Sequence, residues 1–114
     1  MAYDSRLAQR IRRILDHQPH VTEREMFGGI AFLVQGNIAC GVIGDELMVR
    51  VGPEQHQAAL KKPHVRPFDM TGRPFKGWVW VGVPGLGSTE GLNTWVKRGV
   101  DFALTLPAKP DHAS

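Results

Sequence analysis

The chain of 114 residues has room for one domain and too little length for two domains of ordinary size. Its hydrophobic content of 42% and charged content of 22% are typical of a globular protein and exclude a chain that is disordered by composition. The net charge of +3, from 14 basic and 11 acidic residues, is too small to indicate a dedicated nucleic-acid-binding domain.

The N-terminus lacks the apolar region of a signal peptide, and no run of about 18 apolar residues exists to span a membrane. We therefore expect a cytoplasmic protein that makes no membrane contact. The single cysteine excludes an internal disulfide. Residues 1–107 are predicted to form one domain, followed by a flexible tail over 108–114.

Residues 4–17 have apolar side chains at helical spacing, which predicts an amphipathic helix. Asp4 or Ser5 can cap its first amides, and Pro19 ends it. Four strands are predicted next, at residues 22–27, 30–34, 38–43 and 47–51. The last three are joined by turns too short for anything but antiparallel pairing.

A second helix is predicted to start at Gly52-Pro53 and to end at Pro63, because proline suits the first helical position. Residues 64–76 are predicted to form an extended loop, with a short strand near Phe68. A strand over 78–83 and a helix over about 89–106, capped by Ser88 or Thr89, complete the chain.

The element order α-β-β-β-β-α-β-α predicts a two-layer α+β fold, with an antiparallel sheet of four to six strands and three helices. Residues 30–34 and 78–83 are apolar on both faces, whereas a sheet with one wet face should alternate apolar and polar side chains. Three helices would leave one such face uncovered, and this predicts a homodimer.

The stretch 71–80, TGRPFKGWVW, interleaves cations with aromatic side chains, as nucleic-acid-binding segments do. Pro74 argues against a continuous central strand, so we interpret the stretch as a structural lead into the strand that carries Trp78 and Trp80. Arg73 and Lys76 then lie at the rim of the sheet, where a partner could reach them.

Arg6, Arg10 and Arg13 recur at the spacing of one helix face, as a phosphate-contacting stripe would, although surface arginines are more often merely solvated. Together with Arg66, Arg73 and Lys76 they are the candidate contacts for a partner or for nucleic acid.

Other patterns are weaker as functional signals. The glycines of 85–91 resemble a dinucleotide fingerprint, but the spacing is one residue too long and no second strand follows, so a turn before a helix cap is the simpler interpretation. Cys40 lies in an apolar strand and is predicted to be an inert core residue. A small-molecule pocket near Cys40, His64 and the 85–91 loop remains an alternative.

Three stretches of the chain are distinctive in combination: MFGGIAF at 26–32, GNIACGVIGDELMVRVGP at 36–53 and PHVRPFDMTGRPFKGWVWV at 63–81. Together they resemble one family, the TfoX N-terminal domain of competence regulators. The resemblance extends from the first helix to about Leu106, with Phe75 standing where the family pattern has methionine. It implies a two-layer α+β domain and does not imply an enzyme. We expect no catalytic residue, no cofactor and no metal site.

Family regulators work with the cyclic-AMP receptor protein and carry a second, helical domain, so we expect here a stand-alone N-terminal domain. The leading hypothesis is a non-catalytic regulatory or protein-interaction domain, with a partner in the transcription machinery. The alternatives are direct nucleic-acid binding through the arginines of the first helix and a small-molecule-binding domain.

Overall fold

The fold is described here from a computed structural model, which describes residues 3–26, 28–69 and 74–109. Within these ranges the chain forms six β-strands, three α-helices and two short 3-10 turns. The strands are β1 Val21–Met26, β2 Gly29–Val34, β3 Asn37–Ile43, β4 Glu46–Arg50, β5 Val65–Asp69 and β6 Pro74–Val81. The helices are α1 Ser5–Ile14, α2 His56–Leu60 and α3 Thr89–Thr105.

The six strands form one sheet in the order β1-β2-β3-β4-β6-β5, and every neighbouring pair is antiparallel. This architecture confirms the predicted α+β class. The edge strand β1 carries exposed charged side chains, which discourage pairing with another chain along that edge. None of the helices in the described ranges is both long and apolar enough to cross a membrane.

The helices lie on one face of the sheet, where their buried side chains join alternate strand residues in a single apolar cluster. The strand side of this cluster includes Phe32, Val42, Leu47 and Val79. Helix α3 crosses the sheet so closely that a Cβ atom at Gly99 would lie 2.2 Å from the carbonyl oxygen of Ala39. Only glycine permits this approach, which brings the C-terminal half of α3 down onto the sheet.

The opposite face of the sheet is also buried, even without a second copy of the chain. Ala31, Leu33 and Met48 point away from the helices by strand alternation and are at most 2% exposed. Phe68 is fully buried on this face among the half-buried rings of three aromatic neighbours, Phe75, Trp78 and Trp80. This burial removes the physical reason for which a homodimer was predicted, and the dimer itself stays a prediction.

Two predicted boundaries were wrong. Helix α2 begins at His56, not at Gly52-Pro53, because Gly52 adopts a φ of +89° and residues 53–55 form a turn. Strand β6 begins at Pro74, not at Trp78, since proline is tolerated as the first residue of a strand. The short strand predicted near Phe68 is confirmed as β5, and the first helix ends in a 3-10 turn over Leu15–His17.

The C-terminal segment is held against the β2–β3 turn as far as Lys109. The Lys109 amide donates to the carbonyl oxygen of Gln35 at 2.7 Å, and the side-chain amide of Asn37 donates to the carbonyl oxygen of Pro107 at 3.0 Å. Lys109, the second residue of the predicted tail, is therefore bound to the domain. Residues 110–114 lie outside the described residues.

Candidate functional site

Two glycines at positive φ form the backbone junction on which the site is built. Gly52 has a φ of +89° and Gly77 a φ of +90°, and a Cβ atom at Gly77 would lie 2.9 Å from the carbonyl carbon of Gly52. The carbonyl oxygen of Gly77 accepts hydrogen bonds from the amides of Val51 and Gly52 at 2.8 and 3.0 Å. Residues with a Cβ atom rarely adopt this backbone conformation, so the junction depends on glycine at both positions.

His56, the first residue of α2, stabilises the junction by a hydrogen bond. Its side chain is 7% exposed, and its Nδ1 atom accepts a hydrogen bond from the Gly77 amide at 2.9 Å. An accepting Nδ1 places the proton of the neutral imidazole on Nε2. The end of β4, the middle of β6 and the start of α2 thus converge on one residue, Gly77.

The junction places Arg50 between two aromatic rings. Arg50 is the last residue of β4 and lies directly opposite Trp78 in the β4–β6 ladder. Its Cζ atom is 5.1 Å from the centre of the Trp78 ring and 5.3 Å from that of the Phe102 ring, within the range of cation–π attraction. Phe102 reaches this position because Gly52 has no side chain: a Cβ atom there would lie 2.4 Å from the ring.

Arg50 has no hydrogen-bond or ion-pair partner among the residues that the structure describes. It is half-buried, and burial lowers the pKa of its guanidinium. A half-buried guanidinium carries five N–H donors in a planar fork, which suits a carboxylate or a phosphate.

A cleft of about 540 Å³, which we call the α3 cleft, is lined by Val51 and Phe102, which are the chain neighbour and a stacking ring of Arg50, although Arg50 itself does not line it. Its lining includes Val51, Pro53, Glu54, Arg98, Asp101 and Phe102. Phe102 is shared between the cleft and the stack on Arg50. Arg98, one turn before Phe102 on α3, lies over the ring of Trp95 at 4.9 Å from its centre. The cleft therefore combines an apolar floor with cationic and anionic groups at its rim.

The predicted contact residues do not form one surface. Arg6 and Arg13 are exposed on α1, whereas Arg10 is half-buried and its guanidinium approaches the carbonyl oxygen of Ser88 at 3.4 Å. Arg66 lies on the face of the sheet opposite the helices, where it stacks on Trp80.

The remaining two predicted contacts are Lys76 and Arg73. Lys76 is exposed in β6, and Arg73 lies outside the described residues. The aromatic rings of the 71–80 stretch receive their stacking cations from neighbouring strands: Arg50 of β4 on Trp78, and Arg66 of β5 on Trp80.

Two cations, one of them a predicted contact, are already engaged by carboxylates. Arg12, which adjoins the predicted stripe, makes a bidentate pair with Glu23 of β1 at 2.8 and 2.9 Å. Arg66 makes a second bidentate pair, with Glu46, and this pairing lowers the pKa of the Glu46 carboxyl.

A second cleft, of about 430 Å³, lies beside the glycine-rich loop, and His64, Gly85, Ser88 and Gly91 are among its lining residues. The predicted association of His64 with this loop is thus present, but Cys40 does not line the cleft. Ser88 caps α3 by accepting from the Gly91 amide at 2.9 Å, as predicted. That amide is consequently not available to a phosphate.

Cys40 is fully buried in the core, as predicted, and burial raises its pKa to about 12. The environment therefore keeps it as a thiol rather than a thiolate.

The fold and the site together define a class: a two-layer α+β domain that presents arginine and aromatic side chains beside an open cleft. The family model of the TfoX N-terminal domain matches residues 13–103. The chain belongs to this family, as the resemblance of its three stretches predicted. No curated protein and no solved structure matches the chain.

The sequence analysis missed Arg50 and Phe102 as site residues. The available signal was a lone cation at the end of LMVRV, a strand that is otherwise apolar on both faces. Its meaning depends on the register that places it opposite Trp78, and on the glycine that admits Phe102.

Replacing His56 by leucine should destabilise the domain by about 1–3 kcal/mol, because the buried amide of Gly77 loses its acceptor. Urea unfolding measures this change. The control is His17→Leu, an exposed position where we expect a change within about 0.5 kcal/mol. Equal midpoints for His56→Leu and the wild type would show that the junction does not need this hydrogen bond.

Native Cys40 should react with a thiol reagent about a thousandfold more slowly at pH 8 than an exposed cysteine does, because so little thiolate is present. The comparison is a double variant, Cys40→Ala with Ser5→Cys, which places the thiol at an exposed position. Fast modification of Cys40 in the folded protein would instead show that this thiol is accessible and would restore the alternative of a small-molecule pocket near Cys40.

Proposed function

We propose that the chain is a non-catalytic regulatory domain of the TfoX type, and that it acts by binding a protein partner through the α3 cleft. The partner belongs to the transcription machinery. Membership of the TfoX N-terminal domain family supports the regulatory part of this proposal. The binding mode is supported by the residues around the cleft.

The observation that carries the binding mode is the stack of Trp78, Arg50 and Phe102. Tryptophan and arginine are enriched among the residues that dominate the energy of protein interfaces. Here they are half-buried, held by neighbouring strands and a helix, and placed beside an apolar cleft. Side chains that are already ordered lose little entropy on binding, so such a stack favours association.

Direct DNA binding is the second candidate, and the exposure of Arg6 and Arg13 on α1 favours it. Both side chains lie on the helix layer, and Arg66 extends from the other face of the sheet, so a DNA contact would use α1 rather than the full predicted set. An electrostatic contact of this kind weakens steeply as the salt concentration rises.

One complementation experiment separates the two candidates. The gene is deleted in the cells that encode it, transcript abundance is measured, and the deletion is complemented with the wild type or with one of two variants. Arg98→Gln alters the α3 cleft, and the pair Arg6→Gln with Arg13→Gln alters α1. We expect the α1 variant to restore the transcript profile and the cleft variant to fail, with both proteins folded by thermal melting.

Unchanged transcripts in the deletion strain would contradict a regulatory role. Restoration by the cleft variant and failure of the α1 variant would favour the DNA candidate. That outcome would also require a labelled duplex to bind the purified protein at physiological salt, as measured by anisotropy.

A further inference from the structure

Arg66 stacks on a tryptophan and also pairs with a carboxylate of the same chain. Its Cζ atom lies 5.3 Å from the centre of the Trp80 ring, and its fork donates to both carboxylate oxygens of Glu46 at 2.7 and 2.5 Å. The ring fixes the plane of the guanidinium, and the carboxylate uses two of its donors.

Arg50 repeats the first half of this arrangement without the second. It lies opposite Trp78 as Arg66 lies opposite Trp80, on the same face of β6 and two residues away along the strand. A second ring, that of Phe102, confines it further. No carboxylate of the described residues completes its fork.

We propose that Arg50 receives a carboxylate from a protein partner, and that the partner segment places an apolar side chain in the adjoining α3 cleft. The inference rests on the proposed function and specifies the chemistry of its partner. Val51, Pro53 and Phe102 supply the apolar floor, and the shared Phe102 ring joins the floor to the arginine. A segment that pairs an acidic residue with an aromatic or aliphatic one satisfies both features.

The charges at the rim favour a single carboxylate over a nucleic-acid backbone. Glu54 and Asp101 line the cleft next to the apolar floor, and they would repel a run of phosphates. One carboxylate that docks on Arg50 needs only one cation, and the two acidic residues can remain in water.

Glu54 and Asp101 are also the carboxylates of the chain that could compete with the carboxylate of a partner for Arg50. Neither forms an ion pair with Arg50 in the structure. The variant Glu54→Gln with Asp101→Asn tests for this competition, because removing the two charges should leave peptide binding intact or strengthen it. Weaker binding in that variant would contradict the proposed docking of the carboxylate on Arg50.

The direct test uses two blocked dipeptides, one of phenylalanine and glutamate and one of phenylalanine and glutamine, with inorganic phosphate as a third probe. Each is titrated into the isotope-labelled full chain, and the Nε–Hε resonance of Arg50 is followed by NMR. We expect the glutamate peptide to shift this resonance saturably and to bind about tenfold or more tightly than the glutamine peptide.

Arg50→Lys keeps the charge but loses the fork, so it should weaken binding of the glutamate peptide to the level of the glutamine peptide. The matched control is Arg66→Lys, which alters the other tryptophan stack and should leave binding unchanged. The comparison of the two peptides on the wild type needs no variant, so it stands even if Arg50→Lys fails to fold.

Equal binding of the two peptides, or tighter binding of phosphate than of the glutamate peptide, would overturn the inference. Loss of binding in Arg66→Lys but not in Arg50→Lys would overturn it as well. These outcomes are independent of the transcript experiment. If transcripts respond to the deletion while the peptides fail to distinguish glutamate from glutamine, the regulatory role stands and this inference does not.

Discussion

The contact between Gly52 and Gly77 is the constraint on which the candidate site depends. Both residues have a φ near +90°, and their backbones approach too closely for a side chain on Gly77. The carbonyl oxygen and the amide of Gly77 are both used, the first by the end of β4 and the second by His56. One residue, Gly77, thereby sets the relative positions of two strands and a helix. The same contact positions the side chains of Arg50 and Trp78, which are close to these two glycines in the chain.

The sheet uses its two faces differently, and the difference explains the placement of the tryptophans. Val79 and Val81 of β6 belong to the core beneath the helices, whereas Trp78 and Trp80 alternate to the other face and remain half-buried there. Each tryptophan takes an arginine from the strand beside it, one from β4 and one from β5. Of these two arginines, only Arg66 is paired with a carboxylate among the described residues, so the two stacks differ in what they can still bind.

Much of the fold could be predicted from the sequence, because local chemistry and long-range packing agree there. The turn at Gln35-Gly36, with φ values of 52° and 82°, and the Ser88 cap of α3 are examples. The start of α2 could not be predicted. Pro53 favours a helix that starts there, but the amides of Val51 and Gly52 donate to the carbonyl oxygen of Gly77, and α2 begins only at His56. Arg50 was missed for a related reason: its role arises from strand register, and register is not encoded in any one stretch.

The proposed site requires Arg50 to be held rigidly between the rings of Trp78 and Phe102 while its guanidinium donors remain available to a partner. The most direct measurement is the NMR order parameter of each arginine Nε–Hε bond in the free protein. We predict a value for Arg50 as high as that of Arg66, which is fixed by Glu46, and well above the values of the exposed Arg6 and Arg13. An Arg50 bond as mobile as those of Arg6 and Arg13 would contradict the account, because the stack would then not prepare the site for a partner.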